Sequence, residues 1–228
     1  MNDFDSEGSG ENEWEDRGEL AWNEFDWERY LREQDATIHR YLGFYEALKG
    51  HPDRIDEVAE QMGWDRPDAG DNADDGEDDS DSAGEADEFI EDDEIYTLHK
   101  NPVFIATKAI YLGLRRPWEQ AASDADKLPR TLALSFLASL HRGEENAVHA
   151  VHALDFGDFA MAISLFKRAL AALNNSLSYL DEPTAERHPV LRPFREDALP
   201  RLFDLREVWL RVINECRQEL NRPIDEEN

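Results

Sequence analysis

Apolar positions recur at helical spacing along most of this chain and thin out in one long stretch. Between residues 19 and 64, Leu20, Trp27, Leu31, Ile38, Leu42 and Tyr45 are separated by steps of three, four and seven, which places them on one helical face. Gly50 and Pro52 predict the end of that helix. Pro52 can open a second, short helix carrying Ile55, Val58 and Met62 and stopped at Gly63. From residue 99 to 223 the pattern is helical throughout. Asn101-Pro102 reads as an N-cap followed by an N1 proline, and Val103, Thr107, Ile110 and Leu114 continue that face until Pro117, which is predicted to break it. A long helix is expected from about Pro129 to Asp155, with Gly157 and Asp158 supplying a C′ glycine and a new N-cap. The helix that follows, to about Leu180, puts Phe159, Ala162, Ile163, Phe166, Ala169, Leu170, Leu173 and Leu177 on one face. DEPTAERHP reads as a loop. The last helix presents Leu202, Leu205, Trp209, Val212, Ile213, Cys216 and Leu220, and Pro200 either starts it or kinks a longer helix beginning near Val190.

No segment alternates as a strand does, and short connections favour antiparallel neighbours. The expected fold is therefore all-α: an antiparallel helical bundle over 99–223, with an N-terminal helical hairpin at 19–64.

Charge explains the gap between the two segments. Residues 1–98 hold 34 acidic and 7 basic side chains, a net of −27, whereas residues 99–228 hold 19 and 17, a net of −2. Acidity confined to one half is a local device and not a property of every exposed face. Its densest part, Asp65 to Glu94, has sixteen acids in thirty residues, with Phe89 and Ile90 as its only large apolar side chains. Such a segment repels itself and buries too little to offset its ordering entropy. Residues 65–98 are expected to be an acidic disordered linker, 1–18 a similar acidic tail, and 224–228 a short C-terminal tail.

Composition removes several function classes. A net charge of −29 over 228 residues argues against direct nucleic-acid binding, which needs a positive footprint. One cysteine cannot build a disulfide framework or a thiolate zinc site. No apolar run reaches the ~18–20 residues needed to cross a bilayer, and the first twenty residues carry neither a basic n-region nor an apolar h-region. A cytoplasmic protein that binds no membrane is the expectation. Glycine-rich phosphate loops and the serine nucleophile elbow are both missing from the sequence.

Two clusters hold the chemistry that is left. HRGEENAVHAVHALD carries three of the seven histidines on the long helix. Phe136, Leu140, Ala147, Val151 and Leu154 centre its apolar face, and Glu144 falls within that face, while His141, Glu145 and His152 line one edge. A carboxylate on a core face needs a partner. The candidates are an arginine such as Arg115 or Arg206, a histidine, or a ligand or metal held with His141, Glu145 and His152; the remaining alternative is a place near a helix end where water reaches the carboxylate. The spacing opposes a metal: carboxylate-bridged di-metal bundles use Glu-x-x-His on two helices, and here the order is reversed at His141-x-x-Glu144 with no second set. No cofactor is expected. The second cluster is aromatic. Trp22, Phe25, Tyr30, Tyr41 and Phe44 exceed what one helical face can hold, so they either pack on the second segment or present a surface to a partner protein.

The stretch ENAVHAVHALDFGDFAMAISLFKRALAALNN, with its small-x3-aromatic-x2-small pattern at Ala162, Phe166 and Ala169 after the Gly157-Asp158 turn, resembles a tetratricopeptide-like helical hairpin over residues about 143–176. It stands alone, without a second copy at the ~34-residue period of a solenoid. The resemblance implies protein binding and no catalysis. The sequence thus points to a non-enzymatic interaction, scaffold or regulatory protein that binds a protein partner, with homo-oligomerisation compatible with the same surfaces. The alternative is a metal- or ligand-binding bundle centred on Glu144 and its flanking histidines.

Overall fold

Local capping chemistry marks where the helices begin. In a computed structural model of the chain, the structure describes residues 23–64, 101–124 and 126–222. The acidic linker and the two tails expected from sequence lie outside the described residues. Seven helices are described: α1 (Glu24–Ala47), α2 (Arg54–Met62), α3 (Pro102–Ala121), α4 (Arg130–Asp155), α5 (Phe159–Tyr179), α6 (Glu182–Arg187) and α7 (Leu191–Leu220). Among the described residues there is no strand, and the fold is all-α.

Contacts divide the chain into two units, with the boundary between Thr37 and Ile38 inside α1. In the first unit, Asn23 Oδ1 accepts from the backbone N–H of Phe25 at 2.8 Å and of Asp26 at 3.2 Å, while the Asp26 carboxylate accepts from Asn23 N–H at 3.1 Å. This reciprocal cap satisfies donors that a helix start leaves orphaned.

In the second unit four helices close a ring: α3 packs on α4, α4 on α5, α5 on α7, and α7 back on α3. Asn101 caps α3 through its side-chain oxygen, 2.9 Å from Val103 N, with Pro102 as N1. Gly157, at φ 72°, ends α4 in the left-handed region, and Asp158 caps α5 by accepting from Met161 N at 2.9 Å. Inside the ring, Trp118, Phe136 and Phe194 form one aromatic cluster with centroids 4.1–5.6 Å apart, and Trp209 stacks near Tyr111 and Phe166. Trp209 donates its indole N–H to Thr107 Oγ1 at 3.1 Å, so the largest core side chain leaves no buried donor unpaired. Ser139 and Ser176 meet at 2.7 Å across α4 and α5.

Three sequence expectations change. Pro117 lies inside α3 and does not end it. The turn beyond it is held by Trp118, which is buried in the aromatic cluster and donates to Ala133 O at 3.3 Å; tertiary anchoring outweighs the missing N–H. DEPTAERHP is not only a loop: it contains α6, capped by Asp181, whose carboxylate accepts from Thr184 N at 2.8 Å. The short second helix begins at Arg54 with Asp53 as its cap residue, so Pro52 lies before it. Pro200 sits within one long α7.

The second unit also takes in the later part of α1 together with α2. Ile38, Tyr41, Tyr45 and Val58 belong to the same buried cluster as the four-helix ring. The seam is rich in long polar side chains. Tyr45 Oη donates to Asp204 Oδ2 at 2.6 Å, Arg54 Nε donates to the same oxygen at 2.9 Å, and the Arg54 guanidinium lies 3.9 Å over the Tyr45 ring. Arg201 makes a two-pronged bond to Glu46, at 2.5 and 2.9 Å, and a second to Asp197 on its own helix.

Candidate functional site: a buried carboxylate between α3 and α4

Glu144 lies on the α4 face turned toward α3 and is 5% exposed. Two cations from α3 reach it. Lys108 Nζ donates to Oε1 at 2.8 Å, and Arg115 Nη2 pairs with Oε2. Lys108 and Arg115 are seven residues apart, two helical turns, so both flank the same stretch of α4. Of the arginines expected from sequence, Arg115 is the partner and Arg206 is exposed. The sequence reading missed Lys108. Its signal was that same seven-residue spacing from Arg115 at the edge of an apolar face.

An open pocket of about 230 Å³ lies over the pair. Lys108, Arg115 and Glu144 line it together with His141, Glu145, Val148 and His149. The structure therefore gathers His141, Glu144 and Glu145 and leaves His152 out of the lining, with the His149 and His152 rings 6.4 Å apart along the outer face of α4. His141, Glu145, His149 and His152 are all exposed. Among the described residues no group of three or more histidine, cysteine, aspartate or glutamate side chains is arranged to hold a metal. Both oxygens of the buried Glu144 carboxylate are already engaged by cations, which is the arrangement a structural ion triad requires.

Two buried polar atoms border this triad without a hydrogen-bond partner: Tyr111 Oη and Arg115 Nε. Burial raises the Tyr111 phenol above the ordinary tyrosine range, against the pull of the nearby Arg115 charge. The ring is therefore neutral at any physiological pH.

The aromatic cluster divides. Trp22 lies outside the described residues. Phe25 is 75% exposed in the first unit, where Tyr30 is half-buried. In the second unit Tyr41 is buried, stacked on Tyr45 and on Trp64 at 5.5 Å between centroids, and Phe44 is half-buried against the core. Tyr41 and Phe44 are core residues, because the later part of α1 sits on the four-helix ring.

No family model, curated protein or solved structure matches this chain. Among the described residues, no helix is long and apolar enough to cross a membrane.

Proposed function

We propose that the protein is a non-enzymatic scaffold or regulatory protein that works by binding another protein, and that it does so in the cytoplasm. The observation that supports this most is the first part of α1, where Phe25, Trp27 and Leu31 are 75, 51 and 46% exposed. Large aromatic and aliphatic side chains held in water by a capped helix cost solvation unless a partner surface receives them. The same segment carries five carboxylates from Glu24 to Asp35 against Arg29 and Arg32, which would set the orientation of a partner. The tetratricopeptide-like hairpin of residues 143–176 agrees with a binding role. A single cysteine, buried and without a disulfide partner, agrees with a reducing compartment.

The test is affinity capture from the native host with the full-length chain and with a Phe25→Ser/Leu31→Ser variant. A protein retained by the native chain and lost by the variant, at unchanged melting temperature, supports the reading. Equal capture by both chains removes the first part of α1 from the binding surface.

A further inference from the structure

A second surface lies at the other end of the chain and does not depend on the α1 aromatics. Where the α4–α5 turn meets the last two turns of α7, an open groove of about 370 Å³ is walled by Leu154, Phe159, Val212 and Cys216. Its rim on α7 is polar and acidic: Glu215, Gln218 and Glu219. Beside it the turn holds Phe156 in water at 89% exposure, and Met161 and Leu220 are more than half exposed. Val212, Glu215, Cys216 and Glu219 follow one another at steps of three, one and three, so one stripe of α7 carries both wall and rim. Arg217 falls outside that stripe. Glu219 pairs with Arg222 at 2.9 Å, whereas Glu215 enters no ion pair among the described residues; burial pushes the Cys216 thiol up, and the nearby Glu215 charge adds to that.

We infer that this groove receives an amphipathic helix from a partner protein, one whose apolar face is flanked by lysine or arginine. An apolar trough with room for one or two large side chains, next to a projecting phenylalanine, suits the helix-in-groove mode of recognition. The carboxylates at its edge select the sign of the flanking charge, and the strongly acidic chain draws a basic segment in from a distance. A second copy of this chain is the poorer occupant. Each copy brings the same acidic rim of Glu215 and Glu219, so two grooves repel each other.

The test is a titration of the full-length chain, with ¹³C-labelled methyl groups, by a synthetic helix of leucine and lysine and by its leucine–glutamate counterpart. The expected result is saturable shifts at the Leu154 and Val212 methyls with the lysine peptide only. Glu215→Lys and Phe156→Ser, both at exposed positions, should each weaken binding about tenfold or more without lowering the melting temperature. Shifts confined to other parts of the chain overturn the inference, and so does a Glu215→Lys variant that binds as well as the native chain. Equal binding of the glutamate peptide overturns the charge selection. A concentration-dependent dimer in sedimentation without peptide, abolished by Phe156→Ser, would assign the groove to a second copy instead. None of these outcomes bears on Phe25 or Leu31, so the groove and the α1 reading stand or fall separately.

Discussion

The hydroxyl of Tyr111 on α3 occupies the space that a side chain at position 143 on α4 would need. Gly143 lies beside Glu144, so this tight contact and the ion triad share one level of the bundle. Adding a methyl at 143 meets the phenolic oxygen and the ring behind it, and the tyrosine is too deeply buried to move aside. Gly143→Ala should therefore destabilise the protein by ~1–3 kcal/mol, despite alanine's better helix propensity. Tyr111→Phe removes an unpartnered buried hydroxyl and should be neutral or stabilising by ~1 kcal/mol. The pair should be strongly non-additive, with the second change recovering most of the loss. Thermal or urea unfolding of the four members of the cycle measures this. Additive effects would mean the two residues do not meet.

Glu144 gives a second expectation. Glu144→Leu leaves Lys108 and Arg115 facing an apolar side chain. Their side chains are 35 and 29% exposed and can partly rehydrate, so the loss should be ~1–3 kcal/mol, below the 3–5 kcal/mol of a fully buried broken pair. Glu144→Gln, which can still accept from Lys108, should lose less. Zinc or manganese added to the native chain should leave its melting temperature unchanged. A metal-dependent rise absent from the Glu144 variants would contradict the ion-triad reading.

Much of this arrangement was legible in the residues. A carboxylate falling on an apolar helical face demands a partner, and that demand put Arg115 and Arg206 among the candidates; the packing of α3 on α4 decides for Arg115. The caps Asn101 and Asp158 and the stop at Gly157 marked helix ends because each satisfies a specific orphaned group. Where the reading failed, tertiary contacts overrode local chemistry. Pro117 is kept in α3 by the packing of Trp118, which no local pattern reveals. The six residues of α6 are too few to show a periodicity, although Asp181 three positions before Thr184 is a capping signal. Tyr41 and Phe44 were ambiguous because helical spacing defines a face and not what covers it.

Acid should weaken the seam between the α1–α2 hairpin and α7. Burial alone would push Asp197 up, but hydrogen bonds from Arg201 and Lys49 outweigh it and hold the carboxyl below its ordinary value. The Arg211 guanidinium does the same for Asp56, a more exposed and therefore smaller contributor. Groups with depressed native pKa values bind fewer protons folded than unfolded. Their stabilisation is complete above the unfolded value of about 3.9 and is lost as pH falls through the native values. Melting temperature followed from neutral pH downward should fall below about pH 4, and Asp197→Asn should flatten that fall. A native chain equally stable at about pH 2.5 and pH 7 would refute the role given to these carboxylates.

Two glycines in helices should respond in opposite directions to the same substitution. At Gly113 on α3, a Cβ would stand 2.8 Å from Arg201 Nη1 and 3.2 Å from Leu42 Cδ1. An arginine tip usually swings away cheaply, but this one is 4% exposed and fixed by paired bonds to both Glu46 and Asp197. It can yield only by breaking charge-assisted contacts in a place that water hardly reaches. Gly113→Ala should cost ~1–3 kcal/mol. At Gly43 on α1 nothing lies within 4 Å of the added methyl, so Gly43→Ala should gain up to ~1 kcal/mol from helix propensity alone. Unfolding measured side by side decides the matter, with Glu46→Ala as the background that should soften the Gly113 penalty by releasing one of Arg201's two anchors. If both glycines respond alike, the clamp around Arg201 is looser than its geometry implies.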